Sequence, residues 1–316
     1  MAGLPRMWRA AAMVLLVAPL WALARDGAVE PETVLVVPWG SGGQMLSRRG
    51  GDESNPEGPM SFAVGQQGRI LVLDQASGRV AEFGMDGALV REARLPATTF
   101  ADLEVTALGE VVLLDRLVRQ SILVLDRDLG RRAEYPVSSP RIPEGGAVTA
   151  MLARADGVWL EVAHERSVKV LGPDLAPCEQ VQTRGRPMRD GIAAGFVAAE
   201  LDGAGGVYVE VGRPGGGTVK NRVLPDRRTT RIAWLDDASG RVVVMFEVGS
   251  WDRGEETPEL RGAVLDQDLS VVAWLRTRWP ATELEQFREF LVRPDGSVWQ
   301  MAFFASGVVF NRWVRP

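Results

Sequence analysis

A single histidine serves the whole 316-residue chain: His164, in the run Ala163-His164-Glu165-Arg166. Imidazole is the usual general base near neutral pH and the commonest metal ligand. One copy excludes a histidine dyad and a histidine-rich zinc site. Any Ser-His-Asp or Cys-His arrangement must run through this one position. His164 follows the apolar run 158–162 at a turn, where a solvent-facing polar side chain is the simpler expectation. The single cysteine, Cys178, cannot close an internal disulfide and is expected as a small buried hydrophobe. Residues 51–59, GDESNPEGP, gather Asp52, Glu53, Asn55 and Glu57. They lack the alternating spacing of a calcium loop, and Pro56 stiffens them, so they read as a polar linker. The run Gly212-Arg-Pro-Gly-Gly-Gly lacks the Gly-Lys-Ser/Thr end of a phosphate loop and reads as a hairpin tip. No catalytic residue, metal ligand or cofactor is assigned on these grounds.

Tryptophan is the remaining feature with binding chemistry. Trp159, Trp234, Trp274, Trp299 and Trp313 lie inside apolar runs and are expected to pack between sheets. Trp39, Trp251 and Trp279 flank Gly, Ser, Asp or Pro in loops. Of these, Trp39 and Trp251 are the candidate contact residues for a protein, peptide or glycan partner, because their loops (residues 39–59 and 250–258) are long and polar.

The N-terminus belongs to a different class of segment. Arg6 and Arg9 precede an apolar run over residues 10–23, and Ala22-Leu23-Ala24 forms a small-x-small site before Arg25-Asp26. This is the pattern of a secretory signal peptide, and the run is too short to span a bilayer comfortably. Cleavage after Ala24 implies an exported protein, periplasmic or extracellular, with no membrane span. With Arg6 and Arg9 gone, 34 of the 36 basic residues remain against 41 acidic ones, and the net charge moves from −5 to −7. Such a surface repels phosphate backbones and disfavours nucleic-acid binding. A chain of this length buries a core without disulfides.

The elements that must position any site come from a repeated rhythm. Residues 57–87 alternate apolar runs of about five residues with breaks of Gly, Asp, Ser or Gln, the mark of a β-meander. A glycine followed by an apolar strand recurs at Gly68, Gly109, Gly157, Gly206, Gly240 and Gly296, with spacings of 41, 48, 49, 34 and 56. A short strand precedes each and one or two follow. Six units of ~45 residues, each of three or four strands, specify a six-bladed β-propeller. The expected first strands include 103–107, 148–154, 196–201 and 231–235. The last unit ends after its third strand, and Thr33-Val-Leu-Val-Val offers the missing fourth. The chain therefore divides into a signal peptide (1–24), a closing strand and linker (25–58) and an all-β propeller (59–316), acting as a monomer. Units four and five carry long polar breaks, which leave room for a distorted fourth blade or a five-bladed ring.

The positions Gly68, Ile70 to Leu73, Asp74, Arg79, Val80, Phe83 and Asp86-Gly87 resemble an NHL repeat. The resemblance is strongest over residues 59–95 and weaker over 101–137, where Asp115 and Asp126 keep part of the pattern. It implies the six-bladed fold of NHL-type propellers rather than one activity. Among enzymatic propellers, the peptidylglycine-lyase-like type needs zinc histidines that this chain lacks. A gluconolactonase-like, metal-dependent hydrolase holds its ion with Glu, Asn and Asp. The three asparagines here, Asn55, Asn221 and Asn311, show no such context. The expectation is thus a non-catalytic binding propeller that recognises its partner through loops. The alternatives are that hydrolase and a structural part of a cell-surface complex.

Overall fold

The computed structural model describes residues 28–51, 54–189, 195–213, 215–225, 228–249, 259–278, 284–314 and 316. Six sheets surround one axis. Blade one is Ser61–Val64, Ile70–Asp74, Arg79–Phe83 and Leu89–Arg94; blade two is Asp102–Val105, Val111–Asp115, Ser121–Leu125 and Arg131–Pro136. Blade three is Val148–Arg154, Gly157–Val162, Arg166–Leu171 and Gln182–Arg184, and blade four Arg186–Pro187, Phe196–Leu201, Val207–Arg213 and Gly217–Val223. Blade five is Thr229–Ala238, Arg241–Val248, Glu259–Leu265 and Val271–Arg276. Blade six comprises Phe290–Val292, Val298–Phe304 and Gly307–Trp313. No helix among the described residues is long and apolar enough to cross a membrane.

Aspartates set the hairpins. Asp126 Oδ1 accepts the backbone N–H groups of Asp128 and Gly130, and Asp202 Oδ1 those of Ala204 and Gly206. Asp266 Oδ1 does the same for Asp268 and Ser270. A carboxylate that caps the turn following it is why Asp recurs at strand ends in the sequence.

The ring closes through the N-terminal strand, as the sequence implied. Glu32–Pro38 pairs antiparallel with Gly307–Trp313, matching Leu35 to Phe310 and Val37 to Val308. Leu35 and Val37 enter the apolar cluster between blades six and one, with Phe62, Phe83 and Phe303. Gly307 sits opposite Pro38 at φ 151°, and a Cβ there would lie 2.3 Å from the Val37 carbonyl oxygen, so only glycine fits. One step earlier, Ala28–Val29 adds a short parallel strand to the outer edge of blade five. The N-terminal segment is thereby tied to two neighbouring blades.

Blade four corrects the sequence reading by one strand. Residues 196–201 were expected as its first strand, but they form its second. The inner strand is the two-residue Arg186–Pro187, paired with Phe196 and Val197. A proline cannot supply a ladder donor, and two residues leave no apolar run to recognise. The fourth strand of blade three is only the three residues Gln182–Arg184. Cys178 lies ahead of that strand and is half-buried, not the fully buried hydrophobe expected. The hairpin tip expected at 212–217 joins the third and fourth strands of blade four. Part of the expected polar linker forms a small hairpin, Arg49–Gly51 with Ser54–Glu57.

Candidate functional site on the propeller axis

Charged side chains from the inner strands and the segments beside them fill the centre of the ring. Arg288 lies just before the inner strand of blade six and is fully buried. Its Nε and Nη2 donate to the two oxygens of Asp102 at 2.8 and 2.7 Å, and its Nη1 to Glu104 at 2.7 Å. Asp102 also accepts Ser61 Oγ from blade one and the Met151 N–H from blade three. One carboxylate therefore joins four blades. Burial pushes the Glu104 carboxyl up, against the opposing pull of Arg288.

A second group joins blades three, four and five. Arg154 donates from Nη2 to Asp236 at 2.7 Å and from Nε to the Pro187 carbonyl at 2.9 Å. Arg189 Nη2 donates to the other Asp236 oxygen at 2.6 Å. Burial opposes the charge on Asp236, but the guanidinium groups of Arg154, Arg189 and Arg186 outweigh it and hold that carboxyl below its ordinary range. Arg186 meets Glu161 through two bonds, at 2.7 and 3.0 Å. Trp234 lies beside both groups, its ring centroid 4.2 Å from the Arg186 guanidinium and 4.9 Å from that of Arg288. Such contacts favour cations over aromatic faces.

Asp237 is the odd member. Burial first, and the neighbouring Asp236 second, push its carboxyl up to about 6. It accepts only the Arg189 backbone N–H, at 3.0 and 3.3 Å. Since the folded protein holds this proton more tightly than the unfolded chain, the group's contribution to stability falls as pH rises from about 4 to about 6, and levels off above. Asp237→Asn should flatten that slope and exceed the wild type in stability above pH 6 by about 1–3 kcal/mol. Urea midpoints from pH 4 to 8 test this; parallel curves for the two proteins would refute it.

Above the charged centre the axis opens. The carboxyl-terminal ends of the inner strands and the turns after them meet around a cavity of about 430 Å³, with all six blades contributing. Its walls are small and apolar (Ala63, Val105, Ala153, Ala155, Ala238, Leu291). Glu104, Arg154 and Arg189 supply charge at its base, and Thr106, Ser239 and Arg293 also border it. Arg189 Nε is buried and has no hydrogen-bond partner.

The residues singled out in the sequence lie elsewhere. Trp39 is half-buried at the end of the closing strand. Its indole N–H donates to the Phe304 carbonyl at 2.7 Å and its ring packs 5.8 Å from that of Phe303. Trp251 and Trp279 lie outside the described residues. Trp159, Trp234, Trp299 and Trp313 are buried in the apolar clusters, and Trp274 packs against one of them. His164 is exposed, as expected, 3.3 Å from Glu161. Asn221 is on the outer strand of blade four and Asn311 on the third strand of blade six, both away from the axis. Among the described residues, no three His, Cys, Asp or Glu side chains are grouped to hold a metal ion. Asp102, Glu104 and Asp236 are paired with guanidinium groups and Asp237 alone among these axial carboxylates is not, so the donor set does not fit the gluconolactonase-like centre.

Six sheets of four or five strands around a charged axis, opening to a common mouth, define a six-bladed β-propeller. Solved structures share the architecture. A member of the DUF4221 family from Bacteroides vulgatus aligns with a TM-score of 0.51 at 9% identity, covering 82% of this chain and 93% of that one. Virginiamycin B lyase from Staphylococcus aureus aligns with a TM-score of 0.45 at 11% identity, covering 81% and 94%. A streptogramin B lyase aligns at 0.46 and 12%, covering 84% and 96%. At these identities the likeness concerns the fold alone. No protein-family model matches the chain, and no curated protein does.

Proposed function

We propose that the protein is an exported recognition propeller, without catalytic residues of its own, that takes a peptide-like part of a partner into the axial mouth. The observation that carries this reading is the cavity of about 430 Å³ to which all six blades contribute, with small apolar walls and the unpartnered Arg189 Nε at its base. A buried donor without a partner is costly unless something supplies an acceptor. Asp102, Glu104 and Asp236 beneath it are paired with guanidinium groups, and Asp237, the exception, accepts the Arg189 backbone N–H. The NHL-like pattern of residues 59–95 is compatible with this role, since propellers present rigid mouths and variable loops.

Peptide-display selection on the wild-type protein tests the reading. Enriched peptides should lose binding when Ala155→Trp fills the mouth, and weaken about tenfold with Arg189→Gln, the value of one charge-assisted hydrogen bond. Peptides that bind both variants as well as the wild type would place recognition outside the mouth. Export is the other half of the proposal. It is supported by the signal-peptide pattern and by the ring's use of the chain from Ala28 onward. The mass of the mature protein should correspond to a chain starting at Arg25; an intact Met1 in a membrane fraction would overturn it.

A further inference from the structure

The short inner strand of blade four has a second effect, at the opposite end of the axis. Arg186–Pro187 covers only the start of Phe196–Leu201. The rest of that strand packs against Thr229–Ala238 of blade five, and the starts of these strands meet segments of blades two, three and six at this end of the axis. Together they enclose a cavity of about 560 Å³, within the range of small-molecule sites. Val197, Ala199, Ile232 and Phe287 give it apolar walls.

Two buried donors on its lining lack partners, Arg116 Nε and Trp234 Nε1. Arg116 comes from the loop after the second strand of blade two. Its Nη1 is fixed by the carbonyls of Gly146 and Val148, at 2.9 and 3.3 Å, and its guanidinium lies 5.1 Å from the Phe287 ring centroid. Among the described residues, the Nε–Nη2 edge makes no hydrogen bond and no carboxylate pairs with Arg116. By contrast, Arg186 is neutralised by Glu161, and Arg231 faces Glu247. Among the described residues the cavity therefore holds one uncompensated guanidinium, oriented by backbone contacts, with its bidentate edge vacant.

We propose that this cavity binds a small monocarboxylate with a flat apolar body, its carboxylate on the Nε–Nη2 edge of Arg116. The fork geometry matches two carboxylate oxygens. The apolar walls suit a ring or short chain. Glu285 also lines the cavity and weighs against a dianion such as phosphate or sulfate. This site is independent of the mouth at the other end of the axis.

The test is calorimetric titration of the full mature chain with benzoate, with benzamide and inorganic sulfate in parallel. Benzoate should bind saturably, and neither benzamide nor sulfate should match it. Arg116→Gln should weaken benzoate about tenfold or more, the value of a charge-assisted pair. Arg116→Lys should restore only part of the loss, because the ammonium keeps the charge without the fork. Arg189→Gln should leave benzoate binding unchanged, which separates this site from the axial mouth. The proposal fails if benzoate does not saturate, if benzamide or sulfate binds as well, or if Arg116→Gln binds like the wild type. The ligand comparison on the unaltered protein decides the matter even if a variant folds poorly.

Discussion

Replacing Arg288 with methionine should lower stability by about 3–5 kcal/mol, the cost of leaving buried charge without its partner. Arg288 makes two bonds to Asp102 and one to Glu104, and Arg288 and Asp102 are both fully buried. Methionine roughly keeps the volume, so the loss would report charge rather than a cavity. Asp102 would retain Ser61, Leu103 and Met151 as donors, so its desolvation would be partly offset. Glu104, whose carboxyl burial already pushes up, would lose its nearest cation. The deficit should therefore narrow as pH falls and Glu104 accepts a proton. Asp102→Asn with Glu104→Gln in the Arg288→Met background should recover part of the loss, a non-additivity expected of one network. Urea midpoints of the wild type, Arg288→Met, Asp102→Asn with Glu104→Gln, and all three together measure it. An unchanged midpoint for Arg288→Met would show that the centre of the ring tolerates free carboxylates, and that the six blades are held by apolar packing alone.

That network was the least legible part of the molecule. Asp102-Leu103-Glu104-Val105 alternates polar and apolar, which ordinarily describes a strand with one face in water. In a closed ring, the polar face of an inner strand points to the axis instead, and only the ring itself makes it buried. Asp236-Asp237 at the end of the run Ile232-Ala-Trp-Leu, and Arg288 just before Phe290-Leu291-Val292, carried the same signal: charge at the edge of an otherwise apolar strand. Blade one, by contrast, was readable almost residue by residue. Its strands are short apolar runs bounded by Gly and Asp, and local turn chemistry alone sets those bounds. Blade four was misread for the converse reason. Arg186–Pro187 is a strand by virtue of its neighbours, Phe196 and Val197, not by its own composition. The tryptophans divide on the same principle. Those inside runs pack between blades, whereas Trp39, read as a contact residue from its loop context, is tied down by the Phe304 carbonyl, a partner 265 residues away.

Deleting residues 26–38 should cost about 5 kcal/mol or more, because it reopens the ring. The deletion removes the ladder with Gly307–Trp313 and the burial of Leu35 and Val37. Net hydrogen bonds contribute ~0.5–1.5 kcal/mol each and each buried aliphatic side chain ~1.5–3 kcal/mol. It also breaks a line of polar groups across blade six. Thr33 Oγ1 donates to Asn311, Asn311 donates to Gln300, and Gln300 donates to Glu289 beside the inner strand. With Thr33 gone, Asn311 keeps a buried acceptor without a partner. The newly bare strand, Gly307-Val-Val-Phe-Asn-Arg-Trp, would be an apolar edge open to pairing with other chains. The truncated protein should thus melt lower and also self-associate, and the two effects are separable. A synthetic peptide spanning residues 26–40, added in trans, should raise the melting temperature and suppress association, because it restores the same register. A point variant such as Val37→Asp should lower the melting temperature while leaving the edge covered, and so should not aggregate. If the deletion leaves the melting temperature unchanged, five complete blades and one three-stranded blade suffice for the ring, and the N-terminal strand is an accessory rather than its closure.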